Sequence, residues 1–196
     1  MSANGKEKII EYLKSNILVT DGAMGTYFAS LYDTKEPPEY CNIKDSKKIY
    51  DIHRQYILAG ADIISVNTFG ANIFKYPLKK EGEQFTLSEV VKAAFARARA
   101  AKEKTGAECR IALDLGPTGK LLAPLGTLEF EEAVKVFAET VRLGVENGAD
   151  LIIIETMNDT LELKAAVLAA KENSNLPILA SVVMDEQGKL MTGGDA

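Results

Sequence analysis

Four short apolar runs of the chain give way to a polar side chain at the same relative place. The run 17–20 leads into Asp21, 63–66 into Asn67, 110–113 into Asp114 and 151–154 into Glu155. Three carboxylates and an amide are groups that hold and orient a small polar ligand if the fold brings them to one pocket. Gly22 follows the first of them, and Thr68 and Phe69 follow the second. Each residue has a simpler reading as a helix cap or turn former. Asp114, just before Leu115-Gly116-Pro117, is the most open to it. Four in one relative position favour a shared site.

An internal echo supports the comparison. Residues 60–70 read GADIISVNTFG, and the pattern returns after an offset of 88 residues as GADLIIIET at 148–156. Asn67-Thr68 and Glu155-Thr156 then occupy corresponding stations, one ending in an amide and the other in a carboxylate.

The elements that position these residues alternate. Ile49, Ile52, His53, Tyr56 and Ile57 recur at helical spacing, and Gly60 stops that helix. Val90, Val91, Ala94, Ala98 and Ala101 mark a long helix ending near Gly106. Phe130, Val134, Phe137, Val141 and Val145 share one face of the next, with Glu129, Glu131 and Glu132 in its first turn, where the helix dipole favours anions. A further helix is expected over 160–171. Strands are expected at 17–20, 63–66, 110–113, 151–154 and 178–184, five in all. Strands apolar on both faces and separated by helices point to parallel βα units. The fold expected is an α/β (βα)8 barrel, in which strand tips share the face that carries the site. An open doubly wound sheet is the alternative, but DGAMGT does not match the dinucleotide fingerprint G-x-G-x-x-G. GPTGK at 116–120 likewise fails the phosphate-loop spacing.

The chain has 196 residues, 46% hydrophobic and 26% charged, with a formal charge of −5. That balance argues against a nucleic-acid or acidic-membrane surface and suits a small-metabolite protein. The charged N-terminus lacks the apolar core of a signal peptide, and no run approaches about 18 apolar residues, so a cytoplasmic protein is expected. Cys41 and Cys109 lie 68 residues apart, which is no metal-ligand spacing, and read as free thiols. Cys41 is placed in a loop that could reach the pocket, Cys109 as a partly buried small residue. His53, the single histidine, reads as structural or surface, and nothing supports a Ser-His-Asp arrangement.

The blocks ILVTDGAMGT, SVNTFGAN, ALDLGPTGKLLAPLGTLEFEEA and IETMNDTLELKAAVLAA resemble the homocysteine S-methyltransferase family, most closely the domain that begins cobalamin-dependent methionine synthases. The resemblance runs from about Ile17 to Asp195. It implies a (βα)8 barrel that binds homocysteine, holds its sulfur on zinc and passes it a methyl group. Carried over by motif, Asp21, Gly22, Asn67, Thr68 and Phe69 would lie against the amino-acid end of homocysteine, with Glu155 at its ammonium and Asp114 near the pocket. Zinc makes the thiolate that a free thiol of pKa near ~8.5 does not supply at neutral pH.

The family's three zinc cysteines would lie after Ala196, so residues 1–196 are expected to be the N-terminal part of a longer barrel. Asp195 would cap a fifth helix of that barrel. The 196-residue chain alone is then expected to be inactive and, with its fifth strand unpaired, prone to self-association. Partners implied are L-homocysteine and the folate- and cobalamin-binding domains of a parent enzyme, with methylcobalamin as donor. Betaine and S-methylmethionine enzymes share the barrel, so the donor stays open. A non-catalytic amino-acid-binding or assembly module lacking the zinc site is the other reading.

Overall fold

The computed structural model describes residues 5–33, 36–79, 82 and 84–192; Asp195 lies outside them. Helices α1 (Gly5–Leu13) and α2 (Met24–Leu31) precede a 3-10 turn at Pro38–Tyr40 and helices α3 (Cys41–Lys44) and α4 (Ser46–Leu58). Strand and helix then alternate: β1 (Ile63–Ser65), α5 (Leu87–Thr105), β2 (Arg110–Leu115), α6 (Phe130–Glu146), β3 (Leu151–Met157), α7 (Thr160–Asn173) and β4 (Ile178–Val182).

All pairings between these strands are parallel, and the sheet order is β1-β2-β3-β4. Sequential order separates the two candidate architectures, because a doubly wound sheet reverses its strand order partway. The two faces agree. Ile64, Val66, Ile111, Leu113, Leu115, Ile152 and Ile154 share the main core with α5, α6 and α7. Ile63, Ala112, Leu151 and Ile153 form a separate cluster on the other face, against Leu18 and Leu179 and without a helix. A parallel sheet shielded by helices on one face only is the repeating arrangement of the (βα)8 barrel.

Local sequence explains the element ends. Thr86 and Glu89 form a capping box at the start of α5, and Gly106 ends it at φ 67°. Asp159 caps α7 by accepting from the backbone N–H groups of Leu161 and Glu162. The Gly-Ala-Asp echo is a repeated structure at the strand entries. Gly60 and Gly148 take φ of 98° and 79°, which lets the chain leave a helix and turn directly into a strand. The aspartate that follows each then clamps the preceding β segment. Asp62 Oδ2 accepts from Val19 N at 2.9 Å, and Asp150 Oδ2 accepts from Ile111 N at 2.8 Å.

Three expectations are corrected. Residues 17–20 form no strand but an extended segment with a single bridge, Thr20 to Ile63, so the described residues hold four strands rather than five. Its bonds to β1 are confined to its last residues, around Val19 and Asp21, and Ile17 is 83% exposed. That contact is too short for a ladder. Cys41 begins α3 instead of sitting in a loop, and it is buried with Phe28, Ile49 and Ile52. β2 runs two residues beyond Leu113 and β3 three beyond Ile154, so Asp114, Glu155 and Thr156 lie within strands instead of after them.

Candidate functional site

Side-chain parity along the strands carries Asp114 and Glu155 to the helix-free face. On that face β1 presents Ile63, β2 Ala112, and β3 Leu151 and Ile153, in an apolar layer; Ser65, Asp114 and Glu155 follow one step nearer the strand tips. Glu155 is followed by an irregularity. Ile154 pairs with Ala180 and Met157 with Val182, so β3 spends one residue more than β4 between the two pairs. The bulge returns Met157 to the main core and leaves Thr156 at φ 61°, a left-handed conformation unusual for a β-branched residue.

Two adjoining cavities open over this layer. The first, about 380 Å³, is lined by the 20–24 turn, Ser65, Asp114, 153–156 and the β4 residues Leu179 to Ser181. The second, about 420 Å³, lies between the 23–26 and 37–39 segments, Asn67, Phe69, Gly70 and Lys75, and shares Asp114, Glu155 and Thr156 with the first. Asp21 Oδ2 accepts from Ser65 N at 2.9 Å, and Asp21 N donates to Ile63 O at 2.9 Å, so the turn is tied to β1. Gly22 sits beneath Tyr56, where an added Cβ would lie 2.8 Å from the phenol oxygen. A side chain at position 22 would have to displace the Tyr56 ring.

The carboxylates perturb one another. Burial pushes Asp21 from its ordinary 3.8 up to about 7; the Ser65 N–H opposes this and the Glu155 charge adds to it. Burial raises Asp114 well above the usual carboxylate range, helped by the charges of Glu155, Asp21 and Glu39. Burial also raises Glu155. Asp114 is 5% exposed, and its Oδ1 has no hydrogen-bond partner. Three carboxyl groups that resist ionising together, one with a free oxygen, suit a cation bearing several N–H donors, which would neutralise them and satisfy that oxygen.

The other expected site residues are placed differently. Asn67 lines the second cavity, but its amide donates to Pro38 O and Asn42 Oδ1, both at 2.8 Å. Thr68 lines neither cavity; its hydroxyl donates to Asp114 O at 2.8 Å and accepts from Asp114 N, stitching the two strand tips together. Phe69 lines the second cavity, with its ring against Gly116, where a Cβ would meet it at 2.5 Å. The stations at Asn67 and Glu155 are therefore alike in sequence and unlike in surroundings. Sequence reading passed over Glu39 and Lys75. Glu39 is buried and accepts from Gly70 N at 2.7 Å, a tie across 31 residues that no local pattern announces.

Neither cysteine reaches the cavities, and burial raises both thiols above their ordinary range, first among the causes. Among the described residues no group of three or more His, Cys, Asp or Glu could hold a metal ion. These residues do not fit a zinc centre. His53 is fully buried in α4 with neither ring nitrogen bonded, and burial lowers its pKa from 6.5 to about 4, which makes it a core residue. No helix among the described residues is long and apolar enough to cross a membrane.

Comparison with known proteins gives three findings. The homocysteine S-methyltransferase family matches residues 18–196. Methionine synthase of Mycobacterium tuberculosis (strain ATCC 25618 / H37Rv) is 28% identical over 201 residues, and that of Mycobacterium leprae (strain TN) 29% over 203. Each alignment covers 95% of this chain but only 17% and 16% of those proteins, so the chain spans a small fraction of their length. The homocysteine methyltransferase MmuM from Escherichia coli superposes with TM-scores of 0.79 (metallated form, 20% identity) and 0.81 (oxidized form, 19%). Those superpositions cover 98% of this chain and 71% and 70% of the other, and they show a shared fold.

Proposed function

Because the chain belongs to the homocysteine S-methyltransferase family, we propose that residues 1–196 form the amino-acid-binding part of a methionine synthase-type homocysteine S-methyltransferase barrel. One observation carries this reading. Asp21, Asp114 and Glu155 converge on one cavity with their carboxyl groups pushed toward the protonated state, and Asp114 Oδ1 is unpartnered. The α-ammonium of L-homocysteine supplies the charge and the three donors such a cluster lacks.

Each residue then has a task. Glu155, set on the edge of the bulge, and Asp21, fixed by Ser65 N, accept from the ammonium, and Asp114 accepts from below. Thr68 holds the Asp114 backbone in place, Asn67 closes the wall against Pro38 and Asn42, and Phe69 covers Gly116 beside the ligand. Holding the amino-acid end fixes where the sulfur points, which is the part of methyl transfer these residues perform. In the family the thiolate is made by zinc. The present residues do not fit that ion, and the reading puts its ligands outside them, with methylcobalamin as donor and folate- and cobalamin-binding domains as partners in a cytoplasmic enzyme.

Calorimetric titration of L-homocysteine into the chain and its Glu155→Gln variant tests the reading. The amide keeps the shape and removes the charge, so affinity should fall by about 1.5–3 kcal/mol, the usual worth of a hydrogen bond to a charged group. Equal affinities, with melting curves showing both proteins folded, would remove Glu155 from the site.

A further inference from the structure

Asp114 and Glu155 are placed by the strands that carry them, but Asp21 sits on a turn and depends on what holds that turn. On the sheet side it is tied to β1 twice, from Ser65 N to Oδ2 and from Asp21 N to Ile63 O. Gly22, the next residue, makes no backbone hydrogen bond among the described residues. Ala23 then leads into α2, whose N-terminus has no side-chain cap.

The helix side is held by Tyr56 of α4. Its ring closes over Gly22, so that an added Cβ would meet Cε1 at 3.0 Å as well as the phenol oxygen, and its hydroxyl donates to Ala23 O at 3.3 Å. Without that hydroxyl, Ala23 O keeps only a long bond, 3.4 Å, from Tyr27 N of the helix it leads into. Tyr56 itself is well seated. It packs against both the main core and the smaller cluster around Phe28 and Ile49. The Tyr27 ring lies 5.5 Å from it at 58°, and the Tyr27 hydroxyl donates to Gln55, the neighbouring residue of α4. Tyr56 O also accepts from Ala61 N at 3.2 Å, which references this end of α4 to the entry of β1. Tyr56 lines neither cavity.

We propose that Tyr56 is a positioning residue, one that touches no ligand and, by clamping the 21–23 turn against β1, sets where the Asp21 carboxylate stands relative to Asp114 and Glu155. This rests on the reading of that cluster as the functional site. The residue type suits the task. A rigid ring covers the bare glycine with a single flat surface, and the hydroxyl at its far end reaches the backbone oxygen beyond it. Phenylalanine keeps the cover and loses the bond, and leucine loses both. A site group is only as well placed as the packing behind it, and here that packing comes from a helix outside the cavity.

A double-mutant cycle tests the assignment. L-homocysteine is titrated into wild type, Tyr56→Leu, Asp21→Asn and the double variant, with Tyr56→Phe beside them and a melting curve for each. Asp21→Asn and Tyr56→Leu should each weaken binding by about tenfold, and the double variant by little more than either, because the second change has nothing left to misplace. Tyr56→Phe should lose about threefold, the reach of one neutral hydrogen bond, and should lose nothing once Asp21→Asn is in place. Losses that multiply to about a hundredfold in the double variant overturn the proposal, as does a Tyr56→Leu protein that melts earlier but binds as wild type does. Where Tyr56→Leu does not fold, Tyr56→Phe decides, and binding equal to wild type overturns the proposal. A wild type that binds no homocysteine removes the amino-acid reading and leaves the clamp to be read from stability. The pH-dependent gap between wild type and Asp21→Asn in urea unfolding should then shrink when both carry Tyr56→Leu or Tyr56→Phe, and an unchanged gap overturns the clamp.

Discussion

Replacing Asp21 with asparagine tests whether the acidic layer costs the fold stability until something positive fills it. Asparagine retains an oxygen for the Ser65 N–H, now 2.9 Å from Asp21 Oδ2, so the variant removes charge and little else. The folded-state pKa is raised from 3.8 to about 7, chiefly by burial. A raised carboxyl group contributes stability that is fully present below its unfolded pKa and is lost as pH rises through the folded one. Within that window the slope approaches 1.4 kcal/mol per pH unit, or about 3 kcal/mol between pH 7 and pH 5. Asp21 faces a cavity open to solvent, and screening reduces this to roughly 1–2 kcal/mol. Urea unfolding of wild type and Asp21→Asn at pH 5, 6, 7 and 8 measures it, because taking the difference cancels the titrations not coupled to Asp21 and leaves its own together with its effect on Asp114. Wild type should gain on the variant as the pH falls from 8 to 5. A difference that stays constant over that range would show that Asp21 ionises normally, and the electrostatic case for a cation site would lose its support.

His53→Leu should stabilise the chain by about 1–2 kcal/mol near pH 8, since it replaces a buried ring with two unbonded nitrogens. The gain should widen as pH falls from 6.5 towards 4, where the unfolded histidine takes up a proton that the folded one, titrating at about 4, refuses; a pH-independent gain in thermal melts would contradict the assignment. Asp150→Ala removes the acceptor that holds Ile111 N at 2.8 Å and should cost about 1–2 kcal/mol in denaturant titration, while Asp150→Asn recovers part of it. No loss in the alanine variant would make the clamp decorative.

The alternation of elements was legible because buried parallel strands must be apolar on both faces and their helices on one, and both patterns are local. The convergence of Asp114 and Glu155 was legible for the same reason, since strand parity fixes which way a residue near a strand tip points, while Asp21 is brought to them by its bonds to β1. Asn67 and Thr68 look like the same kind of station but are engaged by Pro38, Asn42 and the Asp114 backbone, partners between 25 and 46 residues away. No spacing rule reaches that far. Residues 17–20 carry a strand's composition without the second neighbour and ladder length that would make them one. Glu39 was invisible because its bond to Gly70 N joins residues 31 positions apart, a property of tertiary packing.

The aspartate clamps at the strand entries act as gauges for the far end. Asp62 to Asn67 and Asp150 to Glu155 are arms of equal length, five residues each. Each arm is referenced to the preceding β segment, so the height of a tip residue is determined by how its strand was seated at the opposite end. At about 3.3 Å per residue and a half-turn of side-chain direction per step, one residue inserted between Asp150 and Glu155 would lift the carboxylate by a full step and turn it into the helix layer. The same insertion beyond Met157 would leave both arms intact. Length variation in this architecture is therefore free on the outer side of the tips and forbidden on the inner side, whatever ligand the tips come to hold.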